Sequence, residues 1–586
     1  MSSPSFLNVQ SSITGRRWVG PDASVDRAAQ QIEQITGLPD IIARLLADKG
    51  VDPAEAEGYL APKLRDLMPD PSELADMDAA SERLAQAVYR RQRIAIFGDY
   101  DVDGAASVAL LVDWLRQLGL AATLYIPDRI DEGYGPNIPA LTDLGAAHDL
   151  IICVDCGTLS HEPIAAARQA GADVLVVDHH LPGPDLPDAI VVNPNRADDG
   201  AGLGHLCAAG VVFMLLVAVN RMLRAQTKVP DLMAMLDLVA VATVADVAPM
   251  IGLNRAFVRS GLAVLARRNR PGLVALADVS GLNAPPTSRD LGFALGPRIN
   301  AGGRIGAADL GARLLSTEDP NEATALAERL DQLNKERRDI ETVVQDAAIR
   351  QIEARGELGA LVWAAGEGWH PGVVGIVASR LKDRFNRPAV VIGLDGDEGK
   401  GSGRSVGGVD LGSSIAALTA QGLLLKGGGH KMAAGLTVAA AEVEAVMQAL
   451  SDLLHRQGAG QRGMEDLRIL GAMAPSAATP DLVEQIDAAG PFGPSNAAPR
   501  IAFSNVVPSG VRIVGNGHCQ ARFSGAGGGT LASITFGAVD SGIAGFLEAA
   551  AARRQPVHVA GRLEIDDWGG RRKAKLRLED AAKVFD

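Results

Sequence analysis

Cysteine is scarce in this chain, with four in 586 residues. So few cannot build the disulfide framework of a small secreted domain, and they suit a reducing cytoplasm, which is the expected location. Long apolar runs are missing as well. The most apolar stretch, Leu206 to Val219, ends after fourteen residues at Asn220 and Arg221, and Met1 to Trp18 is polar where a signal peptide needs an apolar centre. Neither a membrane span nor an export signal is expected. Positive charge is not in excess: the formal net charge is −14. That argues against a surface coated with nucleic acid along its length, while leaving room for local basic patches and an acid-rich metal site. What is present, 47% hydrophobic and 22% charged residues, can bury several cores and divides into about three or four domains of ordinary size.

The most informative segment is Ile94-Ala95-Ile96-Phe97-Gly98-Asp99-Tyr100-Asp101-Val102-Asp103-Gly104, an apolar run ending in carboxylates at alternate positions. In an extended stretch Asp99, Asp101 and Asp103 fall on one face and repel each other unless a cation neutralises them. An acidic turn after a strand would read the same way. A calcium loop would not. Counted from Asp99 the sixth place holds Gly104, but the twelfth, where that loop needs Glu, holds Leu110. Cys153 and Cys156 form a C-x-x-C with no second pair at zinc-finger spacing, and Ile151-Ile152-Cys153-Val154 reads as a buried strand.

From Ala85 onward apolar strands alternate with Ala/Leu-rich helices: Ile94–Phe97, Ser107–Leu118, Ala122–Ile126, Leu150–Val154, His161–Gln169 and Val174–Val177. This alternation predicts an α/β fold, a parallel sheet wrapped by helices, in which ligands collect beyond the carboxyl ends of the strands. Polar residues stand at those ends. Ile94–Phe97 runs into the aspartate triplet, Ile151–Val154 into Asp155-Cys156-Gly157, and Val174–Val177 into Asp178-His179-His180. The apolar stretch Val239–Ala245 runs into Asp246 before Pro249. Each end alone is an ordinary cap or turn. Jointly, hard carboxylate oxygens with one or two imidazoles suit two divalent cations bridged by a shared carboxylate, Mn²⁺ or Mg²⁺ rather than structural zinc.

These segments carry a family resemblance. Asp99 to Gly104, Asp155-Cys156-Gly157, Asp178-His179-His180 and Thr243 to Pro249 resemble, in order and spacing, the four motifs of the DHH phosphoesterase superfamily. Gly427-Gly428-Gly429-His430-Lys431-Met432-Ala433-Ala434-Gly435 resembles the glycine-rich signature of the associated DHHA1 domain. Within the superfamily, Pro127 to Gly135, Arg298 to Arg304, Trp369 to Arg380 and Gly401 to Ser405 are similar to the RecJ family of single-strand-specific 5′-to-3′ DNA exonucleases. The similarity runs from about residue 80 to the end.

The resemblance implies a two-metal hydrolase that releases 5′ mononucleotides from single-stranded DNA in recombination, mismatch repair and base-excision repair. Asp155 would bridge the cations, Asp103, His179 and Asp246 would complete one of them, and Asp101 would hold the more open one. His180 and Asp178 would orient His179, and Asp99 would lend support. An enzyme that starts from a chain end must hold a terminal phosphate, and Arg supplies an always-charged bidentate fork. By resemblance, Arg129, Arg298, Arg404 and Ser402 would form that pocket. Tyr134, one of five tyrosines, lies between glycines in a polar loop and suits stacking on a terminal base. His430 would donate to a phosphate. Gly399-Lys400-Gly401-Ser402 lacks the Lys followed by Ser or Thr of a Walker cradle, so no nucleotide-driven motor is indicated. The chain departs from the family pattern at Thr158-Leu159-Ser160 and at Gly202 to Cys207.

Leu326, Leu330, Leu333, Ile340, Val344 and Ala347 recur at steps of four and three, interrupted by Arg337. They predict a helix from Asn321 to Glu353 that connects two domains. Near the C-terminus, short β-like runs separated by Gly-rich turns (Ile501–Val507, Val511–Val514, Gln520–Phe523, Ala532–Phe536, Val557–Glu564, Lys573–Leu578) predict an all-β OB-fold. Lys573, Lys575 and Arg577 alternate with apolar residues, and Trp568, Arg571 and Arg572 lie in the neighbouring turn. Cations beside an aromatic suit a single-strand groove; a charged edge strand gives the same pattern. The expected domains are an accessory helical region at 1–80, a DHH domain at 81–318, a connecting helix at 319–356, a DHHA1 domain at 357–458 and the OB-fold at 462–586. Expected partners are single-stranded DNA, a single-strand-binding protein and a RecQ-type helicase, with the chain itself a monomer. The competing readings are a DHH/DHHA1 phosphodiesterase for short RNA or cyclic dinucleotides and an inactive nucleic-acid-binding replication scaffold.

Overall fold

The structure, a computed structural model, describes residues 5–129, 131–461, 466–515, 517–567 and 572–584. It divides into two compact units. One comprises Pro69–Ala248 and Ser260–Gly463, and the other Met1–Met68, Pro249–Arg259 and Met464–Asp586. Among the described residues no helix is long and apolar enough to cross a membrane.

The first unit opens with a five-stranded, all-parallel sheet. Its strands are β1 (Ile94–Gly98), β2 (Ala122–Tyr125), β3 (Leu150–Val154), β4 (Asp173–Val177) and β5 (Ile190–Val192), in the order β2-β1-β3-β4-β5. Both β1 and β3 are buried at every residue, which is why they read as unbroken apolar runs and not as alternating ones. Register sets the site. Gly98 lies beside Val154 and Val154 beside Val177, so Asp99, Asp155 and Asp178 each follow the last residue of one cross-strand row.

The helices that frame this row are α1 (Val102–Gln117), α2 (His161–Ala170), α3 (Ala208–Leu223), α4 (Leu236–Ala245) and α5 (Gly296–Ile305). The aspartate triplet is not an extended stretch as expected. Only Asp99 follows the strand directly. Asp101 is the N-cap of α1, its Oδ1 accepting the N–H groups of Asp103 and Gly104 at 2.9 and 3.2 Å, and Asp103 sits in the first helical turn. Capping satisfies N–H groups that a helix start leaves unpaired, and it wins over continued extension here. A Cβ on Gly104 would lie 2.4 Å from the Asp99 carbonyl oxygen, so only glycine lets the turn fold back on the strand end.

A single long helix, α6 (Pro320–Ala354), leads to the second sheet and agrees with the expected connector to within a residue at each end. At 1.5 Å per residue it spans about 50 Å. Its N-terminal half packs on α5, with Leu330 against Gly302 and Leu333 against Gly306. Its C-terminal half, through Val344, Ala348 and Ile352, packs on α7 (Pro371–Phe385). Arg337, between the halves, pairs with Glu341, which also meets Arg380 of α7. The second sheet contains β6 (Val362–Glu367), β7 (Ala389–Asp395), β8 (Glu398–Arg404), β9 (Lys426–His430) and β10 (Ala433–Ala439), in the order β9-β10-β8-β7-β6.

In the other unit, β11 (Ile501–Val514), β12 (His518–Ser524), β13 (Thr530–Thr535), β14 (Val557–Asp566) and β15 (Lys573–Lys583) pair in the cycle β11-β12-β13-β15-β14 and back to β11. This is a closed five-stranded barrel, as an OB-fold requires. The two runs expected at Ile501–Val507 and Val511–Val514 are one strand with a register shift between Ser509 and Arg512. A helix absent from the sequence reading, α8 (Ile543–Ala552), packs on the barrel core. Of the accessory helical region expected at 1–80, the part up to Met68 groups with this unit, and Trp18–Val19 pairs in parallel with Leu467–Arg468.

Candidate metal centre and anion cradle

At the carboxyl end of the parallel sheet the residues form three overlapping donor triads: Asp155/His179/His180, Asp103/His179/Asp246 and Asp99/Asp101/Asp155. Within each triad the donor atoms lie within 4.8 Å of one another. His179 Nε2 stands 3.3 Å from Asp155 Oδ1, 3.7 Å from Asp103 Oδ2 and 4.0 Å from Asp246 Oδ2. Asp155 takes a left-handed backbone conformation, φ 59°, at its strand end, a strained geometry of the kind found at functional sites. Asp246, expected at the end of an apolar segment, is the C-cap of the buried helix α4.

The local charges point to a cation. Asp99, Asp103 and Asp155 are almost wholly buried, and the Oδ1 atoms of Asp99 and Asp155 have no hydrogen-bond partner among the described residues. Burial, then the neighbouring carboxylates Asp103 and Asp101, raises Asp155 well above the usual carboxylate range. Burial and Asp101 do the same to Asp99, and burial with Asp103 and Asp101 pushes Asp246 up to about 8. Buried, unpaired carboxylate oxygens carry a desolvation cost that a cation offsets. Oxygen and imidazole donors fit Mn²⁺ or Mg²⁺. Asp103 is further oriented by the N–H groups of Ala208 and Ala209 at the start of α3.

Two expected roles change. Asp99, expected as support, belongs to a donor triad with Asp101 and Asp155. Asp178 orients the ring of His180 and not that of His179. Its Oδ1 accepts from His180 Nδ1 at 2.7 Å and from the backbone N–H groups of His179 and His180, while its Oδ2 accepts from Thr158 Oγ1 at 2.7 Å. Burial alone would raise Asp178, but these bonds hold it well below the ordinary range. Burial would lower His180, and the Asp178 carboxylate instead pushes it up to about 9. Asn193 Nδ2 in turn donates to Thr158 Oγ1 and to the His180 carbonyl. The departure at Thr158 thus supplies a hydroxyl to this network.

An arginine cradle adjoins the centre. The Arg129 guanidinium lies 5.0 Å from the centroid of Tyr100, the residue between Asp99 and Asp101. Arg404 donates to Ser402 Oγ at 2.9 Å, and burial with Arg129 nearby lowers its pKa. Arg298 is not part of this cradle. It is half of a nearly buried ion pair with Asp331 of α6, at 2.9 Å, and donates also to the Ala294 carbonyl. Arg304, six residues on, lies near Arg129 instead: it donates to the Gly372 carbonyl at 3.0 Å, and burial, then Arg129, pulls its pKa down to about 10. The helix carrying it is anchored to the metal loop, since Asn300 Oδ1 accepts the N–H of Val102. A Cβ on Gly303 would lie 2.7 Å from the Tyr100 carbonyl oxygen. Pro297, at the first positions of α5, marks the helix start from which the facing of the two arginines could have been read.

Tyr134 is tied to the centre by its hydroxyl, 3.1 Å from the Asp155 carbonyl oxygen and 3.1 Å from His180 Nε2, while its ring is half exposed. His430 is exposed at the end of β9, in the cross-strand row that continues through Ala433 to Arg404. In the barrel, Lys573 is exposed, Lys575 pairs with Asp566 at 3.4 Å and Arg572 pairs with Glu484. Trp568 and Arg571 lie outside the described residues. The aromatic that meets the basic strand is Phe536, half exposed, with the Arg577 guanidinium 5.1 Å from its centroid and His518 edge-on at 5.0 Å. Sequence reasoning missed both Phe536 and His518.

Comparison with known proteins agrees with this architecture. The DHH family, N-terminal domain, matches residues 93–243, the DHHA1 domain residues 357–456 and the RecJ OB domain residues 471–580. The single-stranded-DNA-specific exonuclease RecJ of Bacillus subtilis is 34% identical over 97% of this chain and 71% of its own length. The protein of the same description from Escherichia coli is 35% identical over 93% and 96%. Among solved structures, RecJ from Thermus thermophilus in complex with Mn²⁺ matches with a TM-score of 0.79 at 28% identity, covering 97% of this chain and 80% of that one. An exonuclease RecJ bound to manganese matches with a TM-score of 0.58 at 35% identity, covering 67% and 96%. With its DHH, DHHA1 and OB domains in order and its donor residues gathered at the ends of β1, β3, β4 and α4, the chain belongs to the RecJ family of phosphoesterases.

Proposed function

We propose that this chain is a divalent-cation-dependent exonuclease that hydrolyses single-stranded DNA from its 5′ end to 5′ mononucleotides, serving recombination and repair. The observation that carries the reading is the juxtaposition of the donor triads with the Arg129/Arg304/Arg404 cradle through Tyr100, because a phosphodiester held between them meets anion-binding forks on one side and the reaction centre on the other. Its relatives in Bacillus subtilis and Escherichia coli are described as single-stranded-DNA-specific exonucleases.

Asp155 with Asp103, His179 and Asp246 would hold one cation, and Asp155 with Asp99 and Asp101 would hold a second. Cations held there would supply an acidified water and a counter-charge for what develops at phosphorus. The chain's own side chains do the positioning. Arg129, Arg304 and Arg404 with Ser402 grip a terminal 5′ phosphate, fixing which phosphodiester lies over the carboxylates. Asp178 and Thr158 fix the His180 ring against rotation. Tyr134, anchored by its hydroxyl, offers its exposed ring to the terminal base. His430, in the same cross-strand row as Arg404, is placed to donate to a neighbouring phosphate. The barrel, through Arg577 and Phe536, retains the strand between cuts. A helicase and a single-strand-binding protein would supply and hold such a strand.

The test uses purified protein with 5′- or 3′-labelled single strands beside duplex and short RNA. The expected result is Mn²⁺- or Mg²⁺-dependent release of the 5′ label as mononucleotide from single strands only, abolished by EDTA and slowed by a blocked 5′ terminus. No metal-dependent release from the 5′ end would overturn the assignment.

A further inference from the structure

Two backbone irregularities flank Asp246, and each places an apolar side chain in solvent. Val247, the next residue, has φ 60° and is 65% exposed. A β-branched residue in the left-handed region is strained, and such strain persists where the surroundings require it. The second irregularity is a single turn of π-helix, Leu291–Leu295, just before α5. Single π-turns inserted in helices are concentrated at functional sites. This one packs on the exposed end of α4: Gly292 faces Val244, and Gly296 faces Ala245. Leu291 and Leu295 point into the core, and Phe293 between them is 75% exposed. A phenylalanine so exposed loses the burial that ordinarily retains an aromatic side chain.

We propose that Phe293 is a nucleobase contact that stacks on one base of the single strand and sets which phosphate reaches the Asp246 side of the metal centre. This rests on the exonuclease reading above. The occupant follows from continuity with that site. Asp246 is partly open to solvent, and the π-turn that carries Phe293 packs on the end of α4 that precedes it, so a polyanion approaching its cation comes close to that turn. Bases of a single strand present free faces for stacking, whereas those of a duplex are already stacked on each other. Leu291 and Leu295, four residues apart, share the buried face of the turn, and Phe293 between them falls on the open one.

The experiment compares wild type, Phe293→Ala and Phe293→Trp. Binding of a labelled single strand is followed by anisotropy with Ca²⁺, and nucleotide release with Mn²⁺. Phe293→Ala is expected to weaken binding about tenfold, within the range for losing one base–aromatic stack, with Phe293→Trp close to wild type. A single abasic nucleotide, moved along the first six positions, is expected to weaken wild-type binding most at one position and to show no such position with Phe293→Ala. Binding by Phe293→Ala within twofold of wild type, a loss that Trp does not restore, or the same abasic profile in both proteins overturns the proposal. Absence of release by the wild type instead counts against the exonuclease reading, and the binding arm still decides the Phe293 contact.

Discussion

At the scale of single residues, the surroundings of the candidate metal centre favour protons where cations are expected. Burial and mutual repulsion raise Asp99, Asp103 and Asp155, and bring Asp246 to about 8, against about 3.9 for an unfolded aspartate. A carboxyl whose folded pKa is raised contributes stability below its unfolded pKa and loses it as pH rises through the folded value. His180, raised to about 9 by Asp178, also contributes most at low pH and loses its share above 9. The metal-free protein is therefore expected to melt at progressively lower temperature between pH 6 and pH 9. Mn²⁺, which replaces those protons, is expected to restore more stability at pH 8.5 than at pH 6. Thermal melts in EDTA and in excess Mn²⁺ across that range check this, and an Mn²⁺ shift independent of pH would contradict it. The candidate donors were legible because the segments that hold them come after apolar runs. Their pairing was not, since sequence gives no sign that the Asp178 carboxylate turns toward His180 and not His179.

At the scale of elements, helical phase decides which residues reach the site. Arg298 and Arg304 occupy one motif and only Arg298 was expected in the pocket, yet six residues on a helix amount to about 240° of rotation, so one faces α6 and the other the metal loop. Substitution separates them. Arg304→Met is expected to reduce the preference for a 5′ phosphate over a 5′ hydroxyl by about tenfold to a hundredfold, the worth of a charged hydrogen bond, and to leave the melting temperature nearly unchanged. Arg298→Met leaves Asp331 with Lys335 alone; it is expected to cost about 1.5–3 kcal/mol of stability while keeping the phosphate preference. Relative KM values for the two termini, measured beside the melts, distinguish the cases, and the reverse pattern would return Arg298 to the cradle. The same logic explains the aspartate triplet. Alternation suggested one face of a strand, but Asp101 ends the extended backbone by capping α1, and a helix start one residue earlier or later would have rotated Asp103 away from His179.

At the scale of the whole molecule, the DHH, DHHA1 and OB segments were readable from motifs and turn spacing, because each is local in sequence. The place of the N-terminus was not, because its partners lie at the far end of the chain. Trp18 is fully buried among Val9, Leu467, Ile469, Ala502, Ala560 and Ala582, and its Nε1 donates to Asp580 Oδ2 at 2.9 Å. Asp580 is itself fully buried on β15, the strand that carries Arg577. The N-terminal segment thus completes the core behind the basic barrel strand. Trp18→Ala removes a large buried side chain, at about 3–5 kcal/mol, and strips Asp580 of a donor. Trp18→Phe keeps most of the apolar volume and loses mainly the hydrogen bond, about 1–3 kcal/mol for the group left unsatisfied. Calorimetry is expected to show the transition of the barrel unit falling in the order wild type, Phe, Ala, with single-strand affinity at a fixed temperature falling in parallel as β15 loosens. A barrel transition unmoved by Trp18→Ala would mean that residues 5–20 only rest on this unit. A Phe variant as unstable as Ala would mean that the buried Asp580 bond, and not the indole's volume, joins the two ends of the chain.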